Sequence, residues 1–209
     1  MSSKLDRARQ KFVLREETKI TFGGPSQQHW WDAEADEVDF GKEQVGDEMR
    51  WDQWAGIVER GRPQSLILFK TPPKLTKPRA AGPGPITGKD WAPMAKKHLQ
   101  GRKTLLRTGG ARACELGMNR EEKLDGVVHD YGVHGLKKQG SGNKFEAAHG
   151  GTQIVDRCWR CLRKHIGARS FSAAGAPKYS ARVRAAQWRH WRVGSDHWGE
   201  TGGMFRALL

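Results

Sequence analysis

The chain is predicted to fold as an α/β protein, a mixed sheet flanked by helices. Three observations point there. Strand-like segments follow one another without a helix between residues 34 and 70. Helical and strand patterns then alternate as far as residue 135. A strongly amphipathic helix closes the series at 152–166. A meander of strands followed by alternating helices and strands is the order expected of a mixed sheet.

Each element has its own justification. Residues 1–31 are polar and read as a helical or loose leader ending at Trp30-Trp31. "EADEVDF" (34–40) alternates as a first strand, with Asp36, Val38 and Phe40 on one face. "WDQWAGIVERG" (51–61) reads as a second strand, and "QSLILFK" (64–70) as a third whose unbroken apolar run suits cover on both faces. Gly61-Arg62-Pro63 forms the turn between them. "TPPKLTKPRAAGPGP" (71–85) holds five of the nine prolines and reads as a loop. A helix is expected over 86–101, capped by Thr87 or Asp90 and stopped by Gly101. "KTLLRTGG" (103–110) is a fourth strand, "ARACELGM" (111–118) a short helix, and "DGVVHDYGVHG" (125–135) a fifth strand. The glycine-rich segment 137–151 is loop-like and lacks the Lys-Ser/Thr ending of a nucleotide-binding loop. In 152–166, Val155, Trp159, Leu162 and Ile166 share one face with Cys158 beside them, while Asp156, Arg160 and Arg163 share an adjacent one. Residues 169–209 read as a linker and a basic, Trp-rich appendage.

Composition narrows the partners. The net charge is +14, from 37 Lys/Arg against 23 Asp/Glu, and mean hydropathy is −0.76. The charge is uneven: residues 1–50 carry 8 basic and 11 acidic side chains, and Arg157 to Ser195 carries ten basic ones and no acid. Such a run attracts polyanions, nucleic acid first among them, in competition with a merely solubilising surface. No apolar run approaches a membrane span, and no apolar segment follows the charges of "MSSKLDRARQ". The expectation is an intracellular protein (nuclear if eukaryotic, otherwise cytoplasmic) that does not engage membranes. Its three cysteines would be thiols. Cys158-x-x-Cys161 lies inside a helix with no second pair, so packing is expected there rather than zinc.

Five blocks carry a family resemblance: "EADEVDFGK", "AGIVERG", "TLLRTGGARACEL", "VVHDYGVHGLKK" and "AAHGGTQIVDRCWRCLRKHI". In order and spacing, over about residues 32–168, the chain resembles the ISXO-type insertion-sequence transposases of the DDE superfamily. The resemblance implies a ribonuclease H-like fold over 32–168, with the leader 1–31 before it and the appendage 169–209 after it. It implies metal-dependent DNA strand cleavage and transfer, with Mg2+ or Mn2+ held by three acids. Two such ions would activate the attacking oxygen and stabilise the leaving one, which requires hard oxygen ligands converging from different elements.

Carried over position by position, the first acid is Asp36. Glu34 has the same strand parity and stands as an alternative. The third acid, usually Glu, falls on Asp156, with Trp159 and Arg163 at the aromatic and basic positions that follow. The second acid is missing, because Gly109 stands in its place and Cys114 replaces the aromatic after it. Glu34, Glu37, His134 and His149 are the candidate supporting residues. Arg160, Arg163, Lys164, Arg189 and Arg192 are the candidate DNA contacts; Trp188 and Trp191 beside them are able to stack on bases, although such residues more often pack against a core. Only 31 residues precede the first strand, without cysteine, where the family carries a zinc ribbon and a helix-turn-helix. The expected function is therefore that of a transposase-like domain with an incomplete carboxylate triad. The alternatives are a non-enzymatic nucleic-acid-binding module and a basic scaffold protein. Self-association is compatible with all three.

Overall fold

The computed structural model describes residues 2–20, 22, 30–109, 127–131, 137–138, 145–146, 151–167 and 177–208. In chain order the elements are α1 (Ser2–Glu17), β1 (Trp31–Val45), β2 (Glu48–Glu59), β3 (Arg62–Lys70), β4 (Lys74–Thr76), α2 (Gly88–Leu99), β5 (Thr104–Thr108), β6 (Val127–Tyr131), β7 (Lys137–Lys138), β8 (Phe145–Glu146), α3 (Gln153–Ile166), α4 (Pro177–Trp191) and α5 (His197–Leu208). The helix expected at 111–118 lies outside the described residues, as do Cys114, His134 and His149.

The main sheet runs β3-β2-β1-β5-β6, with β4 paired to β2. β1–β2 and β2–β3 are antiparallel, whereas β1–β5 and β5–β6 are parallel. β7 and β8 form a separate ladder. β1 is thus the central strand where the two pairing modes meet. It is longer than its alternating core 34–40 suggested, because with β2 it continues as a hairpin to Gly46, whose positive φ of 59° makes the turn. The loop expected over 71–85 contains the short strand β4.

The alternation of β1 and β2 sends side chains to two different cores. On one face, Ala33, Ala35, Ala55 and Ile57 pack with Trp91, Met94, Ala95 and Leu99 of α2. Asp90 begins that helix, its carboxylate accepting the Thr87 N–H at 3.1 Å and the Thr87 hydroxyl at 2.7 Å. On the other face, Val38, Trp54, Val58, Leu66 and Leu68 pack with Val155, Cys158, Trp159, Leu162 and Ile166 of α3 and with Tyr179, Val183 and Ala186 of α4. The buried stripe of α3 is the one its sequence period predicts.

The ends of the chain differ from the expected leader and appendage. Ten of the fifteen residues of α4 are buried, which makes it a core helix. α1 lies against it, and Phe12, Val13, Trp188, Trp191 and Met204 form a third apolar cluster. The two ends also seal the outer edge of β3. Glu17 of α1 accepts the Leu68 N–H at 2.6 Å. Arg184 donates to Leu68 O at 2.9 Å, and Gln187 and Trp191 donate to Leu66 O at 3.0 and 2.9 Å. Arg184 and Gln187 are held in turn by the Glu17 carboxylate, at 2.8 and 2.9 Å. An edge strand left open offers its backbone to other chains. Here side chains from both termini occupy it.

Candidate functional site

The site begins with a carboxylate that is not catalytic. Glu34 is fully buried on the α3 face of β1. Its Oε2 accepts the N–H groups of Ile154 at 2.7 Å and Val155 at 3.0 Å, in the first turn of α3. Thr152, at the cap position, makes no side-chain capping bond, so Glu34 supplies from another element the acceptor a helix start requires. Its Oε1 accepts from Arg60 Nε at 2.7 Å, and Arg107 Nε donates to Asp32 at 2.7 Å beside it. Glu34 is therefore consumed in fixing α3 on β1 and is not free to substitute for Asp36. Arg107, which shares its strand parity, pairs with Asp32 instead of crowding Asp36.

With α3 fixed, Trp159 falls over the middle of β1. Trp159 Nε1 donates to Asp36 Oδ2 at 3.1 Å. Gly56 is the cross-strand partner of Asp36, and a Cβ there would stand 2.4 Å from Trp159 Cη2. The indole reaches Asp36 because that stretch of β2 is bare backbone. The Phe40 ring meets Trp159 edge-on, with centroids 6.0 Å apart. Gly109 follows β5, whose Thr108 pairs with Ala35. A Cβ built on Gly109 would lie 3.8 Å from Asp36 Oδ1, with no other side chain or backbone of the described residues within 4 Å beyond its chain neighbours. Asp156 is close enough for its charge to act on Asp36. The Asp36 carboxyl is pushed up to about 7, first by burial and then by the charges of Glu37 and Asp156, against the Trp159 hydrogen bond. Gly109, after β5, thus lies beside Asp36 of β1, and Asp156 of α3 lies within reach of its charge.

Other predicted residues lie elsewhere. Glu37 points to the opposite face of β1 by alternation, where it feels Asp39 and Lys74; burial raises its pKa. Arg160, Arg163 and Lys164 are exposed on α3. Arg189 is half-buried. Arg192 is a correction: its Nε lies 2.7 Å from Glu200 Oε2, and its guanidinium rests over the Phe12 ring, so its charge is already answered. Trp188 and Trp191 are 0% and 7% exposed, so packing, the commoner role for such residues, holds; they are core residues and cannot stack on bases. Cys158 is buried with its thiol pushed up to about 12, chiefly by desolvation, as a packing residue would be. Arg60 and Gly56 escaped the sequence reading, although a glycine inside a strand is itself a sign of close approach.

The described donors alone do not suit a pair of divalent ions. Among the described residues, no three His, Cys, Asp or Glu side chains group to hold a metal. One oxygen of Asp36 is engaged by Trp159, and the position between Asp36 and β5 carries no side chain. No helix of the described residues is long and apolar enough to cross a membrane. The chain matches no protein-family model, no curated protein and no solved structure.

Proposed function

We propose that the chain is a transposase-like, DNA-binding domain of ribonuclease H-like architecture, similar to the ISXO-type DDE enzymes, whose strand-cleaving site has lost its second carboxylate. The sheet supports the architecture: an antiparallel meander of three strands on one side of β1 and parallel strands on the other. The observation that carries the proposal is the placement of Gly109 beside Asp36, with the charge of Asp156 reaching the same carboxyl. These three positions come from the family motif.

In an intact site, bound Mg2+ or Mn2+ would activate the attacking oxygen and stabilise the leaving oxygen. Two carboxylates, one of them with a raised proton affinity, are too few for that, and no cleavage step is assigned to this chain. Its own residues support binding. Asp156 marks the start of a helix whose outer face continues through Arg160, Arg163 and Lys164, all exposed. That face suits a phosphodiester backbone read without sequence specificity. The missing ligand favours binding without cleavage.

Titration calorimetry with Mn2+ tests the site. The unmodified chain should bind weakly and nick DNA little. Gly109→Asp has room for its Cβ and no positive φ to oppose it. It should raise Mn2+ affinity by about tenfold or more, since each added hard ligand strengthens the site. Equal, negligible binding by both chains would show that the site is misplaced. Strong metal-dependent nicking by the unmodified chain would overturn its impairment.

A further inference from the structure

The helical layer gathers basic side chains that no described carboxylate pairs with. Arg9 of α1 is 7% exposed, and its guanidinium lies 4.5 Å from the centroid of the Trp188 ring. Its Nε is buried and has no hydrogen-bond partner among the described residues. His197, at the start of α5, packs against the same indole with ring centroids 5.9 Å apart. Arg189 follows Trp188 on α4, and its charge acts on both Arg9 and His165. His165, at the end of α3, also feels Lys164, His197 and His190. Arg9 and His197 thus flank Trp188 beside Arg189, and Lys164 and His165 at the end of α3 lie within electrostatic reach of that group.

Four buried or half-buried arginines of the fold are treated differently. Arg60, Arg107, Arg184 and Arg192 each pair with a carboxylate. Arg9, Lys164, His165, Arg189 and His197 form no ion pair within 4 Å with a described carboxylate. Asp6 is the acid whose charge reaches Arg9. Like charges gathered in a half-desolvated place repel one another, and a buried donor without an acceptor costs free energy. An oxyanion beside the group relieves the repulsion.

We infer that Arg9, Lys164, His165, Arg189 and His197 form a phosphate-binding site, occupied by the backbone of a nucleic acid. The choice of nucleic acid as the source of the phosphate rests on the proposed function. Its support is the path of α3. Asp156 and Lys164 are eight residues apart, roughly 12 Å along the helix at 1.5 Å per residue. Asp156, Arg160, Arg163 and Lys164 fall at i, i+4, i+7 and i+8, along one outer face. A strand passing the Asp36–Asp156 pole and following that face arrives at the cation group.

Two measurements test the site with the full chain. Thermal unfolding is compared in inorganic phosphate and in chloride at matched ionic strength. Phosphate should raise the Tm of the unmodified chain by about 2–5 °C, because it binds the folded state alone. The double variant Lys164→Gln/Arg189→Gln, which leaves Arg9 and Trp188 in place, should lose that increment. Affinity for a short DNA duplex is then followed across a salt series. The same variant should flatten the slope of log K against log salt by about 0.9 for each phosphate contact removed. Phosphate stabilisation that the variant loses, in a chain that binds no DNA, would uphold the site and overturn the nucleic-acid source. DNA binding with an unchanged slope, and no phosphate effect on the unmodified chain, would overturn the site and leave the DNA reading standing.

Discussion

Asp36 binds its proton more tightly in the folded chain than in the unfolded one, since burial raises its pKa from 3.8 to about 7. The sign follows directly. The protonated carboxyl favours the folded state below about pH 4, and that contribution is lost as the pH climbs through 7. Asp36→Asn keeps an acceptor for Trp159 and removes the charge. It should exceed the parent in stability at pH 8 by on the order of 1–3 kcal/mol, with the gap closing towards pH 4. Urea unfolding at both pH values measures this, and a gap independent of pH would contradict the buried placement. Gly56→Ala tests the other side of the contact. Its Cβ would meet Trp159 at 2.4 Å and Ile67 O at 3.2 Å, so the indole must shift. The substitution should cost about 1–3 kcal/mol, visible as a lower Tm; a neutral effect would mean that Trp159 is not seated over Gly56. At this scale the sequence carried half of the information. Strand parity put Asp36 beside Val38 and Phe40, but the indole that holds it is 123 residues away and no local pattern reports that bond.

Among the elements, α3 was legible because its apolar period survives in the fold: the same five residues that share a face in the sequence are buried. Its placement was not legible, since that depends on Glu34 reaching two backbone N–H groups from another element. Glu34→Gln retains an acceptor and removes the charge that answers Arg60 and the helix start. It should destabilise the fold by roughly 2–4 kcal/mol, as breaking a buried pair does. Amide exchange at Ile154 and Val155 should quicken more than at Leu162, further along the helix. Uniform exchange rates would mean that Glu34 does not anchor the first turn. β1 shows the reverse case: its centre was read correctly, but its extension to Val45 depends on pairing with β2 beyond the alternating core, which no single-strand pattern reveals.

The whole molecule corrects the reading of the chain ends. A polar leader and a basic tail are what composition suggests, because α1 and α4 carry their charges among apolar residues. Two of those charges face inward. Glu17, Arg184 and Gln187 bond one another and the outer edge of β3, so polar side chains that look solvated in the sequence are core constituents. A chain ending at residue 168 would keep every strand and α3, and an appendage could be removed without loss. The structure predicts otherwise. Removing α4 exposes Leu66 and Leu68, each fully buried, and strips Trp188 from Phe12 and Val13. Each such side chain is worth roughly 1.5–3 kcal/mol, so the sum approaches the 5–15 kcal/mol that holds a whole domain folded. The same cut leaves Glu17 buried without its cation and opens the β3 backbone to pairing with other chains. The shortened chain should therefore aggregate, eluting in the void volume on size exclusion, whereas Arg182→Gln on the same helix, at a half-exposed position, should leave a folded chain of unchanged elution. A soluble, cooperatively unfolding 1–168 would show that the tail is an appendage after all and that the seal on β3 is dispensable.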